Sequence, residues 1–342
     1  MNSRAQDQDV HGAEGRWPLS YMVEFFDYSG FWATPRRAPR FAGDRVRRDL
    51  ELMRALGLGW VFFSGVNPLD VAWGVIEEAV EATAAWLKEF ELRVSSFHVA
   101  GPCVAWPGRP QEPVAERLIR TAEVFGKWQP RALVLHAGWI AYEPEDLLRW
   151  PDATLRYGEV ERRLRMYEEI VRTVGIEALV AAAAQNLKLM ARAAARSGSR
   201  LAFENMGGME GLGDRETMAA LVAAIGEPNV GYCLDSGHAW LRGEPLDELA
   251  RWMGDRLYET HFHDNRGGDP AEPPRNERDE HLPPGFGTID WRAVIQALDA
   301  IHFPGPVTFE VARWPVQDKA AGLRQAIAWW RACERLALGN GR

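Results

Sequence analysis

Several short stretches of this chain pair histidine with carboxylate at spacings that bring both to one place. In ETHFHDNRGG, His261 and His263 stand two apart, so on a strand they share a face. Asp264 follows and is a candidate outer acceptor that orients an imidazole. GYCLDSGHAW spaces Asp235 and His238 as D-x-x-H at the end of an apolar run. Capping the following helix is the other role open to Asp235. DEHLPPGFGTIDW spaces Asp279 and His281 as D-x-H in a loop, where plain surface charge is the alternative. Glu204 ends the apolar run of LAFENMGG, and Glu310 lies inside that of GPVTFEVARW. A carboxylate buried there is costly to desolvate and needs a cation, an arginine or a raised pKa. His98 in SSFHVAGP and His136 in VLHAGW each close an apolar run before a turn. Six of the eight histidines thus sit at or just beyond strand-like ends; His11 and His302 do not and receive no role. Such a donor set of nitrogen and oxygen without sulfur suits Mn²⁺, Zn²⁺, Co²⁺ or Fe²⁺ better than an all-oxygen cage for Ca²⁺ or Mg²⁺.

Something must hold these residues on one rim. Eight short apolar runs qualify as strands: Tyr21–Phe26, Trp60–Phe63, Arg93–His98, Ala132–His136, Leu201–Glu204, Val230–Leu234, Leu257–Phe262 and Val307–Val311. Helical spacing fills the intervals, for example Asp44–Leu56, Val71–Phe90, Val160–Ser197, Arg215–Ile225, Pro245–Trp252, Trp291–Ile301 and Val316–Leu336. Continuous apolar strands are buried on both faces, as in parallel sheets covered by helices. Eight such units predict a single closed (β/α)8 barrel spanning residues 18–342, after a disordered tail at 1–17. A doubly wound open sheet is the rival fold, but no Gly-rich phosphate loop follows the first run. Long segments after the fourth strand (Gly138 to Glu159) and the seventh (Asp264 to Pro284) are expected on the C-terminal face, as lids or substrate-shaping loops.

Composition narrows the function. The chain has 342 residues, a formal charge of −8 and 46% hydrophobic residues. A net negative charge argues against gripping nucleic acid by bulk charge. Three cysteines far apart imply neither a disulfide framework nor a thiolate zinc site. No apolar run is long enough to span a bilayer and no signal peptide opens the chain, so a cytoplasmic protein without a membrane partner is expected. A homo-oligomer remains open.

In order along the chain, FENMGG, GYCLDSGHAWLRGE, HFHDN, DEHLPPGFGTIDW and the strand around Glu310 resemble the sugar phosphate isomerases and epimerases of the xylose-isomerase-like TIM barrel superfamily, which also contains endonuclease IV. The resemblance covers roughly Tyr21 to Leu336. It implies one metal held by Glu204, Asp235, His261 and Glu310, with His263 the other candidate on strand seven. A His-x-x-Asp motif matching His261 and Asp264 favours His261. It also implies that Glu204 and Glu310, on opposite sides of the barrel mouth, move a proton next to a sugar carbonyl through a metal-stabilised enediolate. His238 then resembles the substrate-binding histidine. His98, Trp106, Trp139, Trp240, Arg266 and Arg275 are further candidates for contact with a small sugar or polyol. The rival reading, a multinuclear zinc phosphodiesterase acting on abasic DNA, takes His98 and His136 for one additional metal and His238, Asp279 and His281 for another. MGGME after FEN, in place of the endonucleases' Thr-Ala-Gly-Gln-Gly, departs from that pattern. A non-catalytic ligand-binding barrel is the third reading.

Overall fold

A computed structural model describes residues 15–27, 39–64, 71–99, 101–141, 158–206, 211–266, 279–312 and 318–339, with the backbone alone for 158–164. Eight parallel strands form its centre: β1 (Leu19–Glu24), β2 (Trp60–Ser64), β3 (Arg93–Val99), β4 (Ala132–Leu135), β5 (Arg200–Glu204), β6 (Val230–Asp235), β7 (Leu257–His261) and β8 (Val307–Phe309). All eight predicted strands are present. From β1 to β7 each pairs with its neighbour in chain order, and β8 returns to pair with β1. The circle closes beside Phe262, whose N–H donates to Thr308 O at 2.8 Å while Glu310 N–H donates to Phe262 O at 3.0 Å. The barrel is thus confirmed over the open sheet.

Alternation along the strands sorts the core. Leu133, Leu135, Leu201, Phe203 and Leu234 belong to the large core shared with the helices. Ala132, Val134, Ala202, Cys233 and Tyr258 form a separate cluster. Ala202 and Cys233 share their strand faces with Glu204 and Asp235, two residues on, and so lie beneath them inside the barrel.

The outer helices include α1 (Gly43–Ala55), α2 (Trp73–Glu89), α3 (Glu112–Phe125), α4 (Gly158–Val174), α5 (Ile176–Ala195), α6 (Arg215–Ile225), α7 (Ser236–Leu241), α8 (Leu246–Met253), α9 (Trp291–Ala300) and α10 (Lys319–Leu338). The continuous helical pattern read over Val160–Ser197 is in fact two helices bent by 101°. They part at Gly175, whose φ of 85° suits a residue without a Cβ. Asp214, Asp290 and Asp318 cap α6, α9 and α10 by accepting backbone N–H groups. Trp17, assigned to the tail by sequence, is buried instead. Its indole N–H donates to Phe303 O at 2.9 Å and Arg331 donates to its carbonyl at 2.8 Å. Among the described residues no single helix is long and apolar enough to cross a membrane. Most of the two expected long loops, 142–157 and 267–278, lies outside the described residues, as does Arg275.

Candidate metal centre

Parallel register brings the ligand types together. Asp235 and His261 are direct ladder partners, and Glu204 pairs with Cys233 two residues before Asp235. His98 is opposite Val134, two residues before His136. The C-terminal ends of β3 to β8 therefore project imidazoles and carboxylates into one space.

Three clusters of nitrogen and oxygen donors result, and a fourth group brings the buried Cys233 thiol to Glu204 and His261. In the first, ligand atoms of Glu204, Asp235, His261 and Glu310 lie within 4.8 Å of one another. His261 Nδ1 is 3.1 Å from Glu204 Oε2 and 2.9 Å from Glu310 Oε2. The two glutamates, one ending β5 and the other following β8, converge on one imidazole nitrogen. In the second, His98 Nε2 and His136 Nε2 lie 3.0 Å apart, and 3.2 and 3.5 Å from the same Glu204 oxygen. In the third, Asp279 Oδ2 is 3.2 Å from His238 Nε2 and 2.9 Å from His281 Nε2, while His263 Nδ1 is 3.6 Å from Asp279 Oδ1. Glu204 belongs to the first two clusters. Asp235 links the first to the third, because His263 Nε2 lies 3.1 Å from each of its oxygens.

His136 Nδ1, His261 Nε2 and His263 Nδ1 are buried and make no hydrogen bond among the described residues, and Glu310 Oε2 has only the His261 imidazole, at 2.9 Å, beside it. A buried polar atom left so is costly unless something else satisfies it. The nitrogen and oxygen donor set and these orphan atoms fit divalent transition-metal ions.

Electrostatics point the same way. Burial pushes Glu204 upward, yet the His261 and His136 imidazoles hold its carboxyl well below the usual range. Glu310 is likewise opposed by burial and is drawn down to about 2, chiefly by His261. Burial opposes charge on His238 and His261, but Asp235 and Asp279 raise the first, and the Cys233 thiol with Glu310 and Glu204 raises the second, each well above the usual imidazole value. His281 is raised to about 9 by Asp279, again against burial. His136 moves down because burial dominates. Without a metal ion, the carboxylates thus recruit protons onto histidines as counter-charges.

Each expected residue has a definite place. His261 faces Glu204 and Glu310, whereas His263 faces Asp235 and Asp279. Asp235 fills both of its open roles, since His238 N–H also donates to its Oδ1 at 2.7 Å and caps α7. Asp264 departs from expectation. Its contacts are with Asn265, Gly285 and Ile289 N–H groups and the Trp291 indole, not with an imidazole. It anchors the segment after β7, and Asn265 extends the anchor by donating to Asp279 Oδ1 at 3.2 Å and accepting from Glu280 N–H at 2.6 Å. Sequence reasoning missed Asn265; its place directly after the His-x-x-Asp motif was the available signal. Arg266 pairs with Glu280 at 2.9 Å and its side chain is 66% exposed, a solvated rim contact. Trp139 stands with its ring centroid 4.9 Å from His136 and so walls the second cluster. Trp106 stacks near Arg109, and Trp240 packs on the core. His238 Nε2, the atom that would meet a substrate hydroxyl, already faces Asp279.

Comparison with known proteins places this geometry. Residues 50–333 match the family model described as xylose isomerase-like TIM barrel. Over 94 residues the chain is 40% identical to an uncharacterized protein of Sinorhizobium fredii, covering 27% of each chain. Over 116 residues it is 34% identical to a probable endonuclease 4 of Mycobacterium ulcerans, covering 33% of this chain and 43% of that one. The chain thus spans well under half the length of these curated relatives. A solved L-ribulose 3-epimerase is similar with a TM-score of 0.62 at 17% identity, covering 96% of this chain and 99% of that one, a likeness of fold.

Proposed function

The chain belongs to the xylose isomerase-like TIM barrel family, and from that premise we propose that it is a divalent-metal-dependent isomerase or epimerase of a sugar or sugar derivative. The observation that carries this reading is the meeting of Glu204 and Glu310 on His261 Nδ1, with Asp235 completing a four-residue ligand set. Glu204, Asp235, His261 and Glu310 would hold a divalent cation, which when bound supplies Lewis-acid charge to oxygens of the substrate.

The two glutamates are unequal. Glu204 is engaged by four imidazoles, from His98, His136, His238 and His261, and its side chain is 2% exposed. The Glu310 carboxylate lies 2.9 Å from one imidazole, that of His261, and is 14% exposed, while its backbone carbonyl faces His281 Nδ1 at 3.1 Å. Glu310 is therefore the carboxylate that reaches substrate and takes the proton from the carbon beside the carbonyl. Held down to about 2, it is ionised at neutral pH and ready to accept one. A positioned carboxylate of this kind contributes on the order of 10²–10⁴-fold to the rate. Glu204 serves as the fixed ligand. With Arg266 engaged by Glu280 and Trp139 at the wall, an unphosphorylated sugar, polyol or glycoside suits the site better than a sugar phosphate.

The sharing of Glu204 and Asp235 among three clusters, together with the matched segment of a probable endonuclease 4, favours a second reading: a multinuclear metal phosphodiesterase acting on abasic DNA. One set of measurements separates the two. A panel of ketoses and ketosides is incubated with metal-loaded protein in D₂O and followed by NMR, beside a nicking assay on an abasic duplex. Deuterium entering next to a carbonyl, lost in Glu310→Gln, supports the isomerase. Nicking without exchange overturns it.

A further inference from the structure

We propose that the seam between β7 and β8 is a positioning device for Glu310: Thr308, held by Thr260 and Glu259 across the seam, sets where the Glu310 carboxylate meets His261. The assignment rests on the reading of Glu310 as the base, and it names the residues that keep that base in place.

The barrel closes unevenly. Seven of its seams are continuous parallel ladders. Between β7 and β8 the backbone pairing is an isolated bridge, Phe262 with Phe309. Its two hydrogen bonds, Phe262 N–H to Thr308 O at 2.8 Å and Glu310 N–H to Phe262 O at 3.0 Å, lie at the upper end of the seam. Below them side chains take the place of the ladder. Thr308 N–H donates to Thr260 Oγ1 at 3.1 Å, so a hydroxyl stands where a neighbouring strand would offer a carbonyl. Thr308 Oγ1 donates to Glu259 Oε1 at 2.6 Å, and the same oxygen accepts from Thr260 N–H at 3.0 Å. Glu259, Thr260 and Thr308 are fully buried, so the loss of one partner leaves the other unsatisfied.

Strand period carries this arrangement to the site. Glu310 stands two residues beyond Thr308, and His261 two beyond Glu259, so each pair shares a face of extended chain. The bond between Thr308 and Glu259 is thus one step below the 2.9 Å contact of Glu310 Oε2 with His261 Nδ1. On its other side β8 pairs with β1 only as far as Phe309. Glu310 therefore takes its bearing from the β7 side, through Phe262 directly and through the Thr308 seat beneath it. Misplacing a catalytic group by about 1 Å costs on the order of 10²-fold in rate, so this seat bears on the chemistry as well as on stability.

Thr308→Val and Thr260→Val test the proposal, because each removes a hydroxyl and little else. Hydrogen exchange resolved to single amides reads the seam, and steady-state kinetics read the base. In Thr308→Val the Phe262 and Glu310 amides are expected to exchange at least about 10-fold faster than in wild type. On a substrate that is turned over, kcat is expected to fall by about 10-fold with KM changed by less than about twofold. Thr308→Ser restores the hydroxyl and is expected to return both readouts to wild-type values. If Thr308→Val does not fold, Thr260→Val reports on the same seam, since it strips the acceptor from Thr308 N–H. Unchanged exchange at Phe262 and Glu310 in whichever variant folds overturns the proposal. So does a lowered melting temperature with kcat unchanged, which would make the seam structural alone. Amide exchange needs no substrate. If no sugar is turned over, the functional reading fails, and exchange alone decides for or against the seam.

Discussion

The outer ring of helices and the rim of the barrel both collect carboxylates, and they treat them differently. On the ring, carboxylates face guanidinium groups across neighbouring helices: Arg120 with Glu77 between α3 and α2, Arg47 with Glu89 between α1 and α2, Arg196 with Glu123 beside α3. These pairs are solvated and complete in themselves. On the rim, Glu204, Asp235, Asp279 and Glu310 face imidazoles, whose charge depends on pH and whose lone pairs remain available. An arginine would neutralise a buried carboxylate permanently; a histidine does so only until a metal ion arrives. The contrast is between carboxylates whose guanidinium partners stay charged and carboxylates whose imidazole partners keep lone pairs that suit a cation.

The largest effect that would sharpen this contrast is chemical. Glu310→Gln should lower kcat by about 10²–10⁴-fold on whichever substrate exchanges its proton, with the melting temperature little changed. Equal kcat in variant and wild type would break the assignment. Glu204→Gln should instead lose bound metal, because it removes an oxygen shared by two clusters.

Next comes protonation. In metal-free protein His281 is raised to about 9, so its stabilising contribution is full below about pH 6.5 and fades as pH rises through about 9. Glu310, lowered to about 2, contributes above about pH 4.3 and fades as pH falls through about 2. Metal-free protein should therefore be most stable in mildly acidic solution. Adding Zn²⁺ at pH 7.5 should acidify a weakly buffered sample as imidazolium protons leave. An indicator dye that registers no release would contradict the counter-charge account.

A smaller effect is expected behind the rim. Asp264→Ala removes the acceptor of four N–H groups and should destabilise the fold by about 2–4 kcal/mol in denaturant titration, with loosened metal in the third cluster. The least effect belongs to the ring. Replacing Arg120 and Glu77 by alanine, singly or together, should move the melting temperature by no more than about 2 °C. A larger drop would show the ring to be more than a solvated surface.

Legibility followed the same division. The eight strands could be read because parallel barrel strands are apolar on both faces and stand out from helical spacing. The histidines at their ends could be read because strand period two fixes which of them share a face. The break at Gly175 could not, since both sides keep helical spacing and only the packing of α4 and α5 shows the bend. Asp264 was named but given the wrong partner. A carboxylate after a His-x-x motif looks the same whether it accepts from an imidazole or from backbone N–H groups, and only the path of the chain from Gly285 to Trp291 decides. Trp17 was misread because a lone aromatic beside a polar tail gives no period.

Residue type and spacing alone determined a metal-suited barrel rim: the donors, the strands that carry them and the positions at strand ends. Tertiary structure decided how those donors are shared. Glu204 binds two clusters into one centre, Asp235 joins the third, and His261 and His263, alike in sequence, face different partners. The reason is physical. Strand period fixes the face a side chain points from, but barrel closure and ring orientation fix which lone pairs meet, and those depend on contacts between segments far apart in the chain.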